Sequence, residues 1–204
     1  MQQFHEITRR QWLAFAGLVL ATGLVSACGK EPLKFQSIDL TGADYARNFS
    51  LSDHNGQTRS LKDFKGQVVV VFFGFTQCPD VCPTTLTELA EVKKLLGSEG
   101  KRLQVVLVTV DPERDSLEVL KTYMANFDPT FLALRPSPEQ LAALAKEFKM
   151  YYKKVEGKTP GSYSMDHSAG NYVFDTEGRI RLYGRYGDGA KALASDIGLL
   201  LKNA

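Results

Sequence analysis

Cysteine and histidine are scarce: the 204-residue chain has three of each, and a single tryptophan. With so few thiols, a disulfide-stapled scaffold is excluded, and one close pair remains, Cys78 and Cys82. A dominant charge sign is missing as well. The 25 basic and 23 acidic residues leave +2, which gives no support to a nucleic-acid partner. There is no internal repeat and no low-complexity tract. The main apolar stretch, from Trp12 to about Leu24, falls short of the roughly 20 residues that a spanning helix wants. What is there, 44% hydrophobic and 24% charged residues, fits one well-cored domain with an N-terminal extra.

That extra has the order of an export signal: Arg9-Arg10, an apolar stretch, then Val25-Ser26-Ala27-Cys28. Its last four residues resemble the bacterial lipobox, in which the cysteine becomes a lipidated N-terminus. The expectation is a lipoprotein signal peptide over 1–27, lipidation at Cys28 and a polar tether over 28–44. An uncleaved membrane anchor is the alternative. Thr8-Arg9-Arg10-Gln11-Trp12-Leu13 also resembles a twin-arginine export motif. Either route places the chain on the periplasmic or other extracytoplasmic side of a membrane, where a thiol pair can be oxidised. Several acyl chains, at about 0.8 kcal/mol per buried CH₂, would hold it there.

The domain expected over 45–204 reads as alternating strands and helices. Phe49–Gln57 is a strand that turns at Asn55-Gly56, a strong hairpin signal. Val68–Phe73 is an unbroken apolar run, as in a strand buried on both faces. A helix with Leu86, Leu89, Val92 and Leu96 at helical spacing follows, with Pro83 expected at its first position. Val105–Val110 is a second buried strand. Asp115-Ser116-Leu117-Glu118 has capping-box spacing, with Asp115 as the cap of the next helix. Phe131–Leu134 is a strand, and Ser137-Pro138-Glu139-Gln140 opens a third helix. Tyr172–Phe174 and Ile180–Tyr183 form a hairpin before a terminal helix marked by Leu193, Ile197, Leu200 and Leu201. This order, with thiols at the first strand-to-helix turn, is an α/β, thioredoxin-like fold with an N-terminal β-hairpin. Met150–Ser168 is left over as an inserted loop or hairpin before the penultimate strand, a size of insert that often carries function.

Gly74-Phe75-Thr76-Gln77-Cys78-Pro79-Asp80-Val81-Cys82-Pro83 therefore carries the chemistry. A residue before proline is pushed from the helical region, so both cysteines are expected in the loop and at the helix entrance. There the helix dipole favours thiolate over thiol. Three readings remain: a redox-active disulfide pair, two metal ligands, or buried small residues. As ligands, two soft thiolates select copper(I), or zinc if a tetrahedral set can be completed. Zinc is disfavoured, since structural sites normally use four protein ligands and only His54 and His167 remain beyond the leader. His54, in a hairpin turn, is expected as a solvated surface residue. His167 ends the insert beside the strand that should neighbour the central one, which turns it towards the cysteines.

Phe75-Thr76-Gln77-Cys78-Pro79-Asp80-Val81-Cys82-Pro83-Thr84, Val110-Asp111-Pro112-Glu113-Arg114-Asp115 and Asp166-His167-Ser168, in that order, resemble the Sco/SenC family of copper-binding proteins that assist cytochrome c oxidase assembly. The similarity runs from about Phe49 to the C-terminus. It implies copper, as Cu(I) and possibly Cu(II), held by Cys78, Cys82 and His167. The implied role is a membrane-anchored copper chaperone that supports the dinuclear copper centre of oxidase subunit II, or another copper-site protein. The alternative is a thiol–disulfide reductase that keeps the oxidase's copper-site cysteines reduced. Against plain oxidoreductase activity, no proline follows Pro160, whereas ordinary thioredoxin-like reductases keep one just before the penultimate strand. A thiol peroxidase would need a threonine three residues before its cysteine, and positions 75 and 79 are Phe and Pro.

Other motif residues have plainer readings. Asp80 suits a helix cap, and Asp111 and Arg114 a surface ion pair. Met165 suits packing rather than thioether ligation. Adjacent extended residues point opposite ways, so Asp166 is not assigned to the metal.

Overall fold

The computed structural model describes residues 33–204. The leader and Cys28 lie outside them. Strands are β1 (Ile38–Asp39), β2 (Leu51–Asp53), β3 (Thr58–Arg59), β4 (Val68–Gly74), β5 (Leu103–Thr109), β6 (Leu132–Arg135), β7 (Tyr152–Glu156), β8 (Tyr163–His167), β9 (Asn171–Phe174) and β10 (Ile180–Gly184). Helices are α1 (Val81–Leu95), α2 (Leu117–Ala125), α3 (Pro138–Glu147) and α4 (Ala190–Lys202). One eight-stranded sheet runs β1-β10-β9-β4-β5-β6-β2-β3, and β7 and β8 pair separately. Among the described residues no helix is long and apolar enough to cross a membrane.

All seven residues of β4 are buried. Val68, Val70 and Phe72 pack with α1, α2 and α4, whereas Val69, Val71 and Phe73 pack on the opposite face with α3 and the Phe148 region. Each such side chain, taken fully from water, contributes roughly 1.5–3 kcal/mol. β4, β5 and β6 are parallel, so each connection must cross over through a helix, and β9 returns antiparallel against β4. The C-terminal ends of β4 and β5 and the start of β9 thus lie at the same end of the sheet's strands, where the loops gather.

Two hairpins use one device. Asp53 accepts from the amides of Asn55 and Gln57 and from Arg59 Nε. Asp175 accepts in the same way from Glu177, Arg179 and Arg179 Nε. In each, a glycine three residues on, Gly56 or Gly178, takes the positive φ (79° and 77°) that closes the turn.

Three expectations change. The stretch expected as a tether over 28–44 is docked from Lys34 onward. Ile38 and Asp39 pair with β10, and the buried Asp196 of α4 accepts from the amides of Gln36 and Ser37 at 2.9 and 2.8 Å. The first helix starts at Val81, which makes Pro83 its third residue; the first four N–H groups of a helix have no partner, so proline loses nothing there. The cap of α2 is Ser116, whose hydroxyl accepts from Val119 N, and Asp115 is buried instead.

Candidate metal centre

Cys78 and Cys82 are free thiols, the first partly exposed and the second buried. Cys82 sits inside the first turn of α1 rather than in the loop, against the pre-proline preference, because packing holds it there. Its sulfur rests over Gly74, at the end of β4, and its neighbours belong to the core that contains Phe73, Phe75 and Met165. Burial pushes the Cys82 thiol up, so the expected thiolate-favouring effect of the helix end is outweighed. A thiolate at Cys82 therefore needs a nearby positive charge. Cys78 Sγ lies 3.4 Å from Cys82 N, which donates to it across the turn. Asp80 precedes the helix but makes no side-chain cap bond to the backbone; its carboxylate accepts from Thr84 Oγ1 at 3.4 Å.

His167 ends β8, and its Nε2 lies 3.9 Å from Cys82 Sγ. Alternation along β8 explains the direction: Met165 is buried while Ser164 and Asp166 are exposed, so Asp166 points away from the sulfurs. His167 Nδ1 is 2.9 Å from Ser168 O, which fixes the proton on Nδ1 and leaves Nε2 as the lone-pair nitrogen facing Cys82. The ring also packs edge to face on Phe75, with centroids 5.9 Å apart. His54 is far from a free surface group. It is half-buried, its Nδ1 accepts from Ala133 N at 3.2 Å, and burial lowers its pKa. It therefore ties the turn after β2 to β6.

The second motif, Val110–Asp115, surrounds this group. Asp115 accepts from Thr76 N at 3.2 Å, Thr76 Oγ1 at 2.6 Å and Thr109 Oγ1 at 2.5 Å, which ties the cysteine turn to the end of β5. Burial still raises its pKa, against these bonds. Asp111 is buried and pairs with Arg114 Nε, so this is no surface ion pair. Tyr163 OH donates to Asp111 at 2.9 Å; loss of surrounding water and this bond push its pKa up to about 12. Sequence reasoning missed the parts played by Gly74 and Tyr163. The signal for Gly74 was a glycine closing an apolar strand; Tyr163 gave none. It also missed Tyr123, whose hydroxyl is buried with no hydrogen-bond partner among the described residues and whose pKa is raised by burial, then by both cysteines.

Two sulfurs and an imidazole nitrogen form a soft donor set that suits a monovalent or divalent copper ion better than a hard cation. Among the described residues no three His, Cys, Asp or Glu side chains are grouped closely enough, as they stand, to hold a metal ion. Cys78 Sγ accepts from the Cys82 amide, and Cys82 Sγ faces His167 Nε2.

The SCO1/SenC family profile matches residues 39–202. The mitochondrial SCO2 homologue of Mus musculus is 40% identical over 141 residues, covering 68% of this chain and 55% of that protein. Across the curated relatives it matches, the aligned region spans between about half and two thirds of their length. Bradyrhizobium japonicum ScoI, solved with copper bound, is 36% identical with a TM-score of 0.68, covering 75% of this chain and 97% of that one. Apo Sco1 of Thermus thermophilus is 37% identical with a TM-score of 0.73, covering 82% and 97%.

Proposed function

The chain belongs to the SCO1/SenC family, and from that membership we propose that it is a membrane-anchored, extracytoplasmic copper chaperone that binds its cargo through Cys78, Cys82 and His167. The observation that carries this reading is the approach of His167 Nε2 to Cys82 Sγ, 3.9 Å apart, although 85 residues separate them in sequence. A relative solved with copper bound supports the choice of cargo. The role of each residue follows from its surroundings. Cys82 is the buried, fixed donor; Cys78 is the partly exposed donor that a recipient's thiolate can displace first; His167 supplies the nitrogen that copper(II) prefers over an all-sulfur set. The proposed recipient is the dinuclear copper centre of cytochrome c oxidase subunit II, and the proposed anchor is lipid on Cys28.

Metal analysis of the reduced protein tests this reading. Stoichiometric copper is expected, lost on Cys78→Ser or Cys82→Ser and weakened, for copper(II) above all, on His167→Ala. Undiminished copper in either serine variant rules the chaperone reading out.

The unequal exposure of the thiols favours one second reading, a reductase of a copper-site disulfide. Cys78 thiolate would attack one target sulfur and release the other as a thiol; Cys82 would then attack Cys78 Sγ and release the second. The target gains two electrons and this chain keeps the disulfide. A strongly reducing Cys78–Cys82 couple with weak copper binding would favour this alternative.

A further inference from the structure

Tyr163, Met165 and His167 leave the same face of β8. The β7–β8 ribbon carries its own ladder and pairs with no strand of the eight-stranded sheet. Side-chain contacts therefore bear on its position against the cysteine turn, and beside the buried Met165 several of them meet at Arg114 and Tyr163. Arg114 Nη1 donates to Tyr163 O at 3.0 Å and to Gln77 Oε1, on the cysteine turn, at 3.1 Å. Its guanidinium lies 3.6 Å from the centre of the Tyr163 ring and 5.9 Å from that of Phe75. The Tyr163 hydroxyl reaches Asp111, which also holds Arg114 Nε. Lys154, paired with Glu113 at 3.0 Å, lies 3.9 Å from the same ring. One guanidinium thus joins the turn that carries the cysteines to the ribbon that carries the histidine. Its fork is planar and its charge permanent, so a lysine could not make the same set of contacts.

We infer that Arg114 and Tyr163 are the positioning pair of the metal centre, holding the ribbon so that His167 Nε2 faces Cys82 Sγ. The effect on copper rests on the chaperone reading; the effect on the imidazole's position does not. Partners that orient a ligand from behind typically change metal affinity by roughly 10–100-fold.

The test has two arms. In the metal-free reduced protein, nuclear Overhauser contacts are expected between the rings of His167 and Phe75. Tyr163→Leu should abolish them and Tyr163→Phe should keep them, because phenylalanine preserves the stack. Arg114→Met gives a second route if Tyr163→Leu does not fold. In copper(II) competition titrations, Tyr163→Leu should bind roughly 10–100-fold more weakly than wild type. It should cause no further loss when added to His167→Ala, since the pair acts through that residue. Ring contacts that persist in Tyr163→Leu overturn the inference, as does an equal loss of affinity in the His167→Ala background. If the contacts vanish as expected but the wild-type protein takes up no copper, the positioning pair stands and the chaperone reading falls.

Discussion

A Cβ built on Gly74 would lie 2.8 Å from Cys82 Sγ, closer than any side chain tolerates. Leu107 and Phe72 close the same space at 3.1 and 3.3 Å, so the sulfur rests on bare backbone. Gly74→Ala must push the sulfur away or distort β4. Overpacking of this kind costs about 1–3 kcal/mol. For a chain this size that lowers Tm by about 2–4 °C per kcal/mol. Copper affinity should fall with it, by roughly 10–100-fold. Wild-type affinity in Gly74→Ala would show that the thiol has room to spare.

Thr76 and Asp115 make a second joint that can be tested. Thr76→Val removes the hydroxyl that donates to Asp115 at 2.6 Å and leaves a buried carboxylate short of a partner. The expected loss is about 1–3 kcal/mol, read by urea unfolding of the reduced protein. Thr76→Ser keeps the donor and should recover most of it. If Val and Ser behave alike, the hydroxyl is not what holds the turn.

Acid should unfold the protein partly through its two Asp-capped hairpins. Burial alone would raise the pKa of Asp53 and Asp175, but their arginine and amide partners outweigh it and both are held below the ordinary value of 3.8. A carboxyl lowered in the folded state adds stability above its unfolded pKa, and that stability is lost as pH falls through the folded one. Thermal unfolding followed downward from about pH 6 should therefore show Tm dropping below about pH 4, less steeply in Asp175→Asn. Parallel profiles for the variant and wild type would remove Asp175 from the account.

The thiols should differ in reactivity. Cys82 is 1% exposed while Cys78 reaches solvent, so iodoacetamide should modify Cys78 first in the reduced protein. Peptide mapping by mass spectrometry reads the order. Equal rates would mean that the first turn of α1 opens readily.

The parts of the site that sequence made legible are those fixed by local spacing. The apolar run before Gly74 announced the central strand, and the rule that adjacent extended residues point opposite ways separated Asp166 from His167. The capping box at Ser137 and Gln140 is present as expected. Where reading failed, a distant partner had decided. Asp115-Ser116-Leu117-Glu118 offers two adjacent caps, and Asp115 goes to Thr76 and Thr109 because the core needs it there. Ile38–Asp39 is too short to show a period, and its place comes from Asp196, on the last helix. Cys82 is helical against the preference of the residue before proline, because its sulfur is packed over Gly74. Tyr163 was opaque for the same reason, since nothing near it in the chain names Arg114 or Asp111.

The ribbon that bears His167 keeps its backbone bonds to itself, and this sets how a cargo ion could leave. Tilting β7 and β8 outward would sacrifice a handful of side-chain contacts and spare every rung of the main sheet. If the chain carries copper as proposed, the nitrogen is the grip that can be relaxed without melting the body, and the ion would stay on the two sulfurs until a receiving protein claims it. On that reading the insert is the movable arm of a clasp.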